Sequence, residues 1–278
     1  MKTFSTLLCL VFVLSPVLFI QPSHAVIVHD TAGQGEFFTL LYPADKEVSV
    51  KAFDRRIPCH RDRVFSQCLI AVPADAAAGL HAFQIFWDGK LEMEKTVKVR
   101  ETAFPVETLT LTQEKKDLLK PSKERDKEVK LIRAALGTET PEKLWKEKFI
   151  WPVKGKIESL FGEKRILDGK LRENYYHRGL DLGAKTGTPI VAVNDGKVVL
   201  NRHFLEEGNI VAVDHGRGVM SAYLHCSAIL VREGETVKKG QVIARVGSTG
   251  VSNSPHLHFG LYVHDVPIDP LFWFKNAP

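Results

Sequence analysis

The chain has 278 residues, 44% of them hydrophobic and 26% charged, with a formal net charge of +5. That length permits two domains with their own cores, and the balance of apolar to charged residues excludes disorder as a description of the whole. The small cationic excess suits an anionic polymer, but no dense Lys/Arg patch interleaved with aromatics occurs, so nucleic-acid binding is not expected.

The first 25 residues differ from the rest. Lys2 precedes an apolar run from Leu7 to Ile20, and Pro22 leads into Ser23-His24-Ala25. A run of about fourteen apolar residues falls short of the roughly twenty that span a bilayer, and the small-residue ending reads as a signal peptide over 1–25, cut after Ala25. No stable membrane span is then expected, and the mature chain belongs in the periplasm or cell envelope, or is secreted. Cys9 lies inside the run, and Leu8 before it argues against a lipid-anchored start. In an oxidising compartment Cys59 and Cys68 are the natural pair, closing a loop for about 2–3 kcal/mol, whereas Cys226 reads as a small buried apolar residue.

From Val26 to about Arg100, short alternating runs broken by turn residues predict strands over 36–42, 47–53, 64–72 and 79–87. Asp88-Gly89 favours the positive φ angles of a tight hairpin. Six or seven strands in this span imply a β-sandwich leader domain, immunoglobulin-like, over 26–100. Its histidines, His29, His60 and His81, are scattered and form no catalytic constellation.

Residues 101–149 shift toward Lys and Glu and read as a helical connector. Val129, Ile132 and Leu136 recur at helical spacing in a segment running from Ser122 to Gly137, with a shorter helical piece before Pro121. Thr140-Pro141 predicts one more short helix by the capping rule. The charge run is expected to be a solvated helix face.

From 150 to 278 the pattern is β again, with more glycine. Strands are predicted over 189–193 and 197–201 around Asn194-Asp195-Gly196, over 209–214 and 219–224 around a glycine-rich turn, and over 241–246 and 257–263. No long helix interrupts them, so the fold class is mainly β, with an antiparallel, barrel-like or two-sheet C-terminal domain.

This half contains His177-Arg178-Gly179-Leu180-Asp181, Tyr223-Leu224-His225 and His256-Leu257-His258. In a strand, His256 and His258 share one face while Leu257 and Phe259 point the other way. His177 and Asp181 fit one face of a helix by spacing, but the glycines around them argue for a loop running into a strand. Histidines and a carboxylate in this number can hold one zinc ion, leave its fourth position for water, and still supply imidazoles that move protons. His203 and His215 carry no clear role beyond a structural donor at His215, and His264 is expected to be exposed.

Residues 151–274 resemble the lysostaphin/LytM-type zinc endopeptidases, which cut peptide bonds in bacterial peptidoglycan. The resemblance rests on Phe161-Gly162, the His177-to-Asp181 motif, Gly187-Thr188-Pro189, Asp195-Gly196, Asp214-His215-Gly216, Tyr223-Leu224-His225, Val237 to Gln241, and Gly247-Ser248-Thr249-Gly250 leading to Pro255 through Phe259. It implies zinc ligands at His177, Asp181 and His258, catalytic histidines at His225 and His256, one Zn2+ per chain, and peptidoglycan stem peptides as substrate. Two departures, Cys226 for an apolar residue and Asn253-Ser254 for Thr-Gly, leave every ligand position unaltered. Three other readings compete: a cysteine hydrolase using Cys226, a lipoyl-type carrier that would lack its lysine, and a catalytically inactive cell-wall-binding activator of other hydrolases.

Overall fold

In the computed structural model, which describes residues 26–27, 30–43, 47–62 and 65–278, the alternating runs of the N-terminal third become strands; the expected signal peptide lies outside the described residues. One sheet sets Val26–Ile27, Phe37–Tyr42, Phe65–Ala71 and His60–Asp62 side by side. The other sets Thr31–Gly33, Lys90–Arg100, Gly79–Trp87, Val48–Ala52 and Arg55–Pro58. Phe38, Leu40, Val50, Phe83, Ile85 and Val97 fill the space between them. Asp88 and Gly89 take positive φ angles of 46° and 78° at the hairpin tip. Cys59 and Cys68 are disulfide-bonded, and Cys226 is free and buried.

The connector is only partly helical. Strand Val106–Leu109 runs parallel to Lys164–Leu167, followed by α1 (Gln113–Leu118) and α2 (Lys123–Leu136). Ser122 caps α2, its hydroxyl accepting the Arg125 N–H at 3.2 Å, and Gly137 ends it. The helix predicted at Thr140-Pro141 does not form. The Leu144 N–H instead donates to the His215 carbonyl at 2.8 Å, and the Thr140 carbonyl accepts from Arg217 N–H at 2.5 Å. Trp145 is buried against Phe149 and Trp273. These long-range partners override a cap signal that contributes about 1 kcal/mol.

The C-terminal half is built on a largely antiparallel sheet in the order Lys156–Ser159, Leu180–Gly183, His256–Val263, Val219–Cys226, Gly208–Asp214, Gly196–Phe204 and Thr236–Val237, with Val266–Ile268 beside His256–Val263. Pro189–Val191 and Gly196–Phe204, which flank the Asn194-Asp195-Gly196 turn, separate into different sheets; the first pairs with Val242–Arg245. Leu180, Leu182, Tyr223, Phe259 and Trp273 anchor the core between the layers, with α3 (Pro270–Asn276) against it. Phe37, Leu69 and Ala71 of the leader belong to this same core. The Phe37 ring lies 5.1 Å from Trp273 and 5.3 Å from Phe272.

His264 is buried at a hairpin turn, contrary to its expected exposure, because its Nδ1 meets Glu139 Oε1 at 2.6 Å under the connector. Among the described residues no helix is long and apolar enough to cross a membrane.

Candidate metal centre

Strands Leu180–Gly183 and His256–Val263 pair antiparallel with Asp181 opposite His258, and His177 stands in the loop that enters the first strand. Three donor atoms converge there. His177 Nε2 lies 3.0 Å from Asp181 Oδ1 and 2.9 Å from His258 Nδ1, and His258 Nδ1 lies 3.0 Å from the same Asp181 oxygen. Two imidazoles and a carboxylate in this triangle are a donor set that fits zinc, with one tetrahedral position left for water or substrate. The other ring nitrogen of His177 is 2.8 Å from the Leu160 carbonyl. A carbonyl only accepts, so Nδ1 carries the proton and the Nε2 lone pair faces the triangle.

Gly179 makes this approach possible. A Cβ on it would lie 2.5 Å from the Phe259 carbonyl oxygen and 2.7 Å from His258 Nε2, where no side chain fits. His177, Asp181 and His258 are all buried. Burial alone would raise the Asp181 carboxyl, but the His177 and His258 imidazoles crowded against it outweigh burial and hold the carboxyl well below its usual range. Burial, partly offset by Asp181, lowers the His258 imidazole.

His225 and His256 stand beside the triangle. His225, one residue before the end of its strand, takes the left-handed region at φ 63°, a conformation uncommon outside glycine, and its Nδ1–H donates to the Thr249 carbonyl at 2.8 Å. That carbonyl comes from the Gly247-Ser248-Thr249-Gly250 loop, which explains the loop's presence before the His256 strand. The His256 Nδ1–H donates to the Ser254 carbonyl at 2.8 Å, and its Nε2 lies 3.7 Å from Asp181 Oδ1. The two rings are 5.0 Å apart. With Nδ1 engaged by a carbonyl in each ring, Nε2 is the nitrogen left to act beside the triangle. Burial, with His256 and His258 nearby, pushes His225 down to about 3, so it is neutral at ordinary pH.

The structure therefore brings together all five residues picked out in the sequence. His215, by contrast, is a buried structural group: its Nδ1–H donates to the Asp195 carbonyl at 2.7 Å and its Nε2 accepts from Ser221 at 2.8 Å. Cys226 is also structural, its thiol pushed up to about 12 by burial, which leaves a cysteine hydrolase without its thiolate.

The five residues open onto a cleft of about 740 Å³ whose opposite wall is the connector, through Leu111, Leu119, Val129 and Ile132. The connector is fastened across the cleft. Asn253 Nδ2 donates to the Thr110 carbonyl at 2.7 Å, Lys115 Nζ reaches the Ser252 carbonyl, and Arg125 Nε donates to Glu206 at 3.1 Å. The α2 face that carries Val129 and Ile132 is thus a cleft wall, not only the solvated charge run its composition suggests. One further neighbour has no motif signal. Arg165 is buried behind Asp181, and only the strand alternation of Lys164, Arg165 and Ile166 places a cation on that inward face.

Residues 175–270 match the model of peptidase family M23. The chain is 41% identical over 95 residues to the peptidoglycan DD-endopeptidase ShyA of Vibrio cholerae, covering 34% of this chain and 22% of that protein. It is 36% identical over 135 residues to the murein hydrolase activator NlpD of Escherichia coli, covering 48% of this chain and 32% of that one. The chain thus spans under a third of the length of either relative. Among solved structures, a peptidase M23 from Pseudomonas aeruginosa superposes with a TM-score of 0.65 over 85% of this chain and 92% of that one, at 22% identity, a likeness of fold. The segment that holds the histidine-aspartate triangle is a peptidase M23 domain.

Proposed function

We propose that this protein is an exported zinc metallo-endopeptidase that hydrolyses peptide cross-links of bacterial peptidoglycan. The observation that carries the reading is the intact set of five residues: His177, Asp181 and His258 as ligands for one zinc ion, with His225 and His256 presenting Nε2 beside them. Zinc bound in the triangle would supply water activation near neutral pH and polarise the scissile carbonyl. Asp181 contributes the charge that partly neutralises the metal. One of the two rings, His225 or His256, takes a proton of the attacking water at Nε2, and the single imidazolium so formed stabilises the developing oxyanion and delivers that proton to the leaving amine. The buried triangle and the connector wall limit water at the reacting bond. The signal-peptide reading of residues 1–25 and the cell-wall hydrolases among the relatives support a periplasmic or envelope location.

A second reading is a catalytically inactive activator of other hydrolases. It is favoured by the activators among the relatives and by the connector fastened across the cleft. The two readings separate on digestion of purified cell wall by the zinc-loaded mature protein. New peptide termini in the mass spectrum support the peptidase, whereas new reducing sugar ends alone, or no products, would overturn it.

A further inference from the structure

Asp181 has two carboxylate oxygens, and the structure gives them different surroundings. Oδ1 faces both ligand imidazoles at 3.0 Å, whereas Oδ2 faces Arg165, whose Nη2 is 3.9 Å away. The Arg165 side chain is only 8% exposed, and the same nitrogen lies 3.4 Å from Glu163 Oε2. Glu163 in turn accepts the Leu160 N–H at 2.7 Å, and the Leu160 carbonyl accepts the His177 Nδ1–H at 2.8 Å. One guanidinium thus stands behind one ligand at loose ion-pair distance and, through Glu163, reaches the support of a second. Its other arm, Nη1, pairs with Glu107 of the connector.

We propose that Arg165 is a positioning residue that holds Asp181 Oδ2 away from the metal and leaves Oδ1 as the one oxygen offered to it. The inference rests on the zinc reading above and concerns how many protein atoms the ion can take. A carboxylate free to rotate can present both oxygens, which would occupy the position that water or substrate needs. A guanidinium behind Oδ2 opposes that rotation, because turning Oδ2 inward would leave a buried cation with one carboxylate fewer. Charge agrees with this. Arg165 and the three carboxylates of Asp181, Glu163 and Glu107 carry two negative charges in excess, which a divalent ion between neutral imidazoles cancels.

The test uses the mature protein loaded with cobalt(II), whose visible absorption is strong in four-coordinate sites and several-fold weaker when a fifth ligand enters. Arg165→Met is expected to bind the ion, to lose band intensity several-fold, and to hydrolyse cell wall 10- to 100-fold more slowly in its zinc form, the range typical of lost outer partners of a metal ligand. Arg165→Gln, which still gives Glu163 a hydrogen bond, is expected to lose the band in the same way and covers the case in which Arg165→Met does not fold. Arg165→Lys keeps a cation behind Oδ2 and is expected to recover the band. Glu107→Leu breaks the same connector contact but spares Asp181, so it should keep the wild-type spectrum. A folded Arg165→Met or Arg165→Gln with the wild-type spectrum would overturn the proposal. A wild-type protein that binds neither cobalt nor zinc would instead overturn the zinc reading itself.

Discussion

Asp181 and His258 stand directly opposite one another across two antiparallel strands, with His258 Nδ1 3.0 Å from Asp181 Oδ1. The pairing makes two of the triangle's three corners a property of strand register. A slip of one residue would turn either side chain to the other face of the sheet and dismantle the site.

Gly179 lets the strands and the ligand loop approach so closely. Gly179→Ala is expected to leave the far-UV circular dichroism unchanged while displacing the His258 ring, because the added methyl would sit 2.7 Å from its Nε2. Zinc affinity, measured by competition with a chelator, should fall at least about 10-fold, in line with other disturbances of ligand orientation. Unchanged affinity would show that the loop can move aside.

Acid should weaken the fold through His215 independently of any metal. Burial pushes that imidazole down to about 4, so the folded chain refuses a proton that the unfolded chain accepts near pH 6.5. Stability is therefore full above about pH 6.5 and declines as the pH falls toward 4, by about 3 kcal/mol over the window. His60, lowered by burial and by neighbouring His264, acts in the same direction. With a chelator present, so that metal release does not contribute, the urea midpoint should drop between pH 7 and pH 5, and His215→Gln should flatten that drop. Equal wild-type midpoints at the two pH values would contradict the argument.

The leader should stabilise the half that contains the site, although it supplies none of the five residues. Phe37 is 2% exposed and packs on Trp273 and Phe272. Phe37→Ala is expected to cost about 3–5 kcal/mol, read from denaturant unfolding. A fragment beginning at residue 150 should unfold at lower denaturant than the full chain, since it lacks both Phe37 and Trp145. A fragment as stable as the full chain would mean that the shared core contributes nothing across that junction.

Period-two alternation made most strands legible, because one face of each is buried and the other is not: the runs predicted over 36–42 and 257–263 appear as Phe37–Tyr42 and His256–Val263. The same alternation put His256 and His258 on one face. What single-segment patterns could not supply was the partner across space. Thr140-Pro141 has a good local start for a helix, yet its neighbours' backbone groups bond to the turn around His215 and Arg217. His264 reads as exposed from the chain alone, yet Glu139 covers it. Arg165 lies in no recognisable motif, since its meaning comes from Asp181, sixteen positions later in the chain.

The central claim divides the two rings of one strand between metal binding and proton transfer. Zinc per chain, measured beside hydrolysis of purified cell wall for folded His258→Ala and His256→Ala, tests it most directly. His258→Ala should lose metal and activity together. His256→Ala should keep its zinc while activity falls by about 10²- to 10⁴-fold, the loss typical of a missing general acid or base, and His225→Ala should behave like it. A His256→Ala protein without zinc, alongside a His258→Ala protein that retains it, would contradict the assignment.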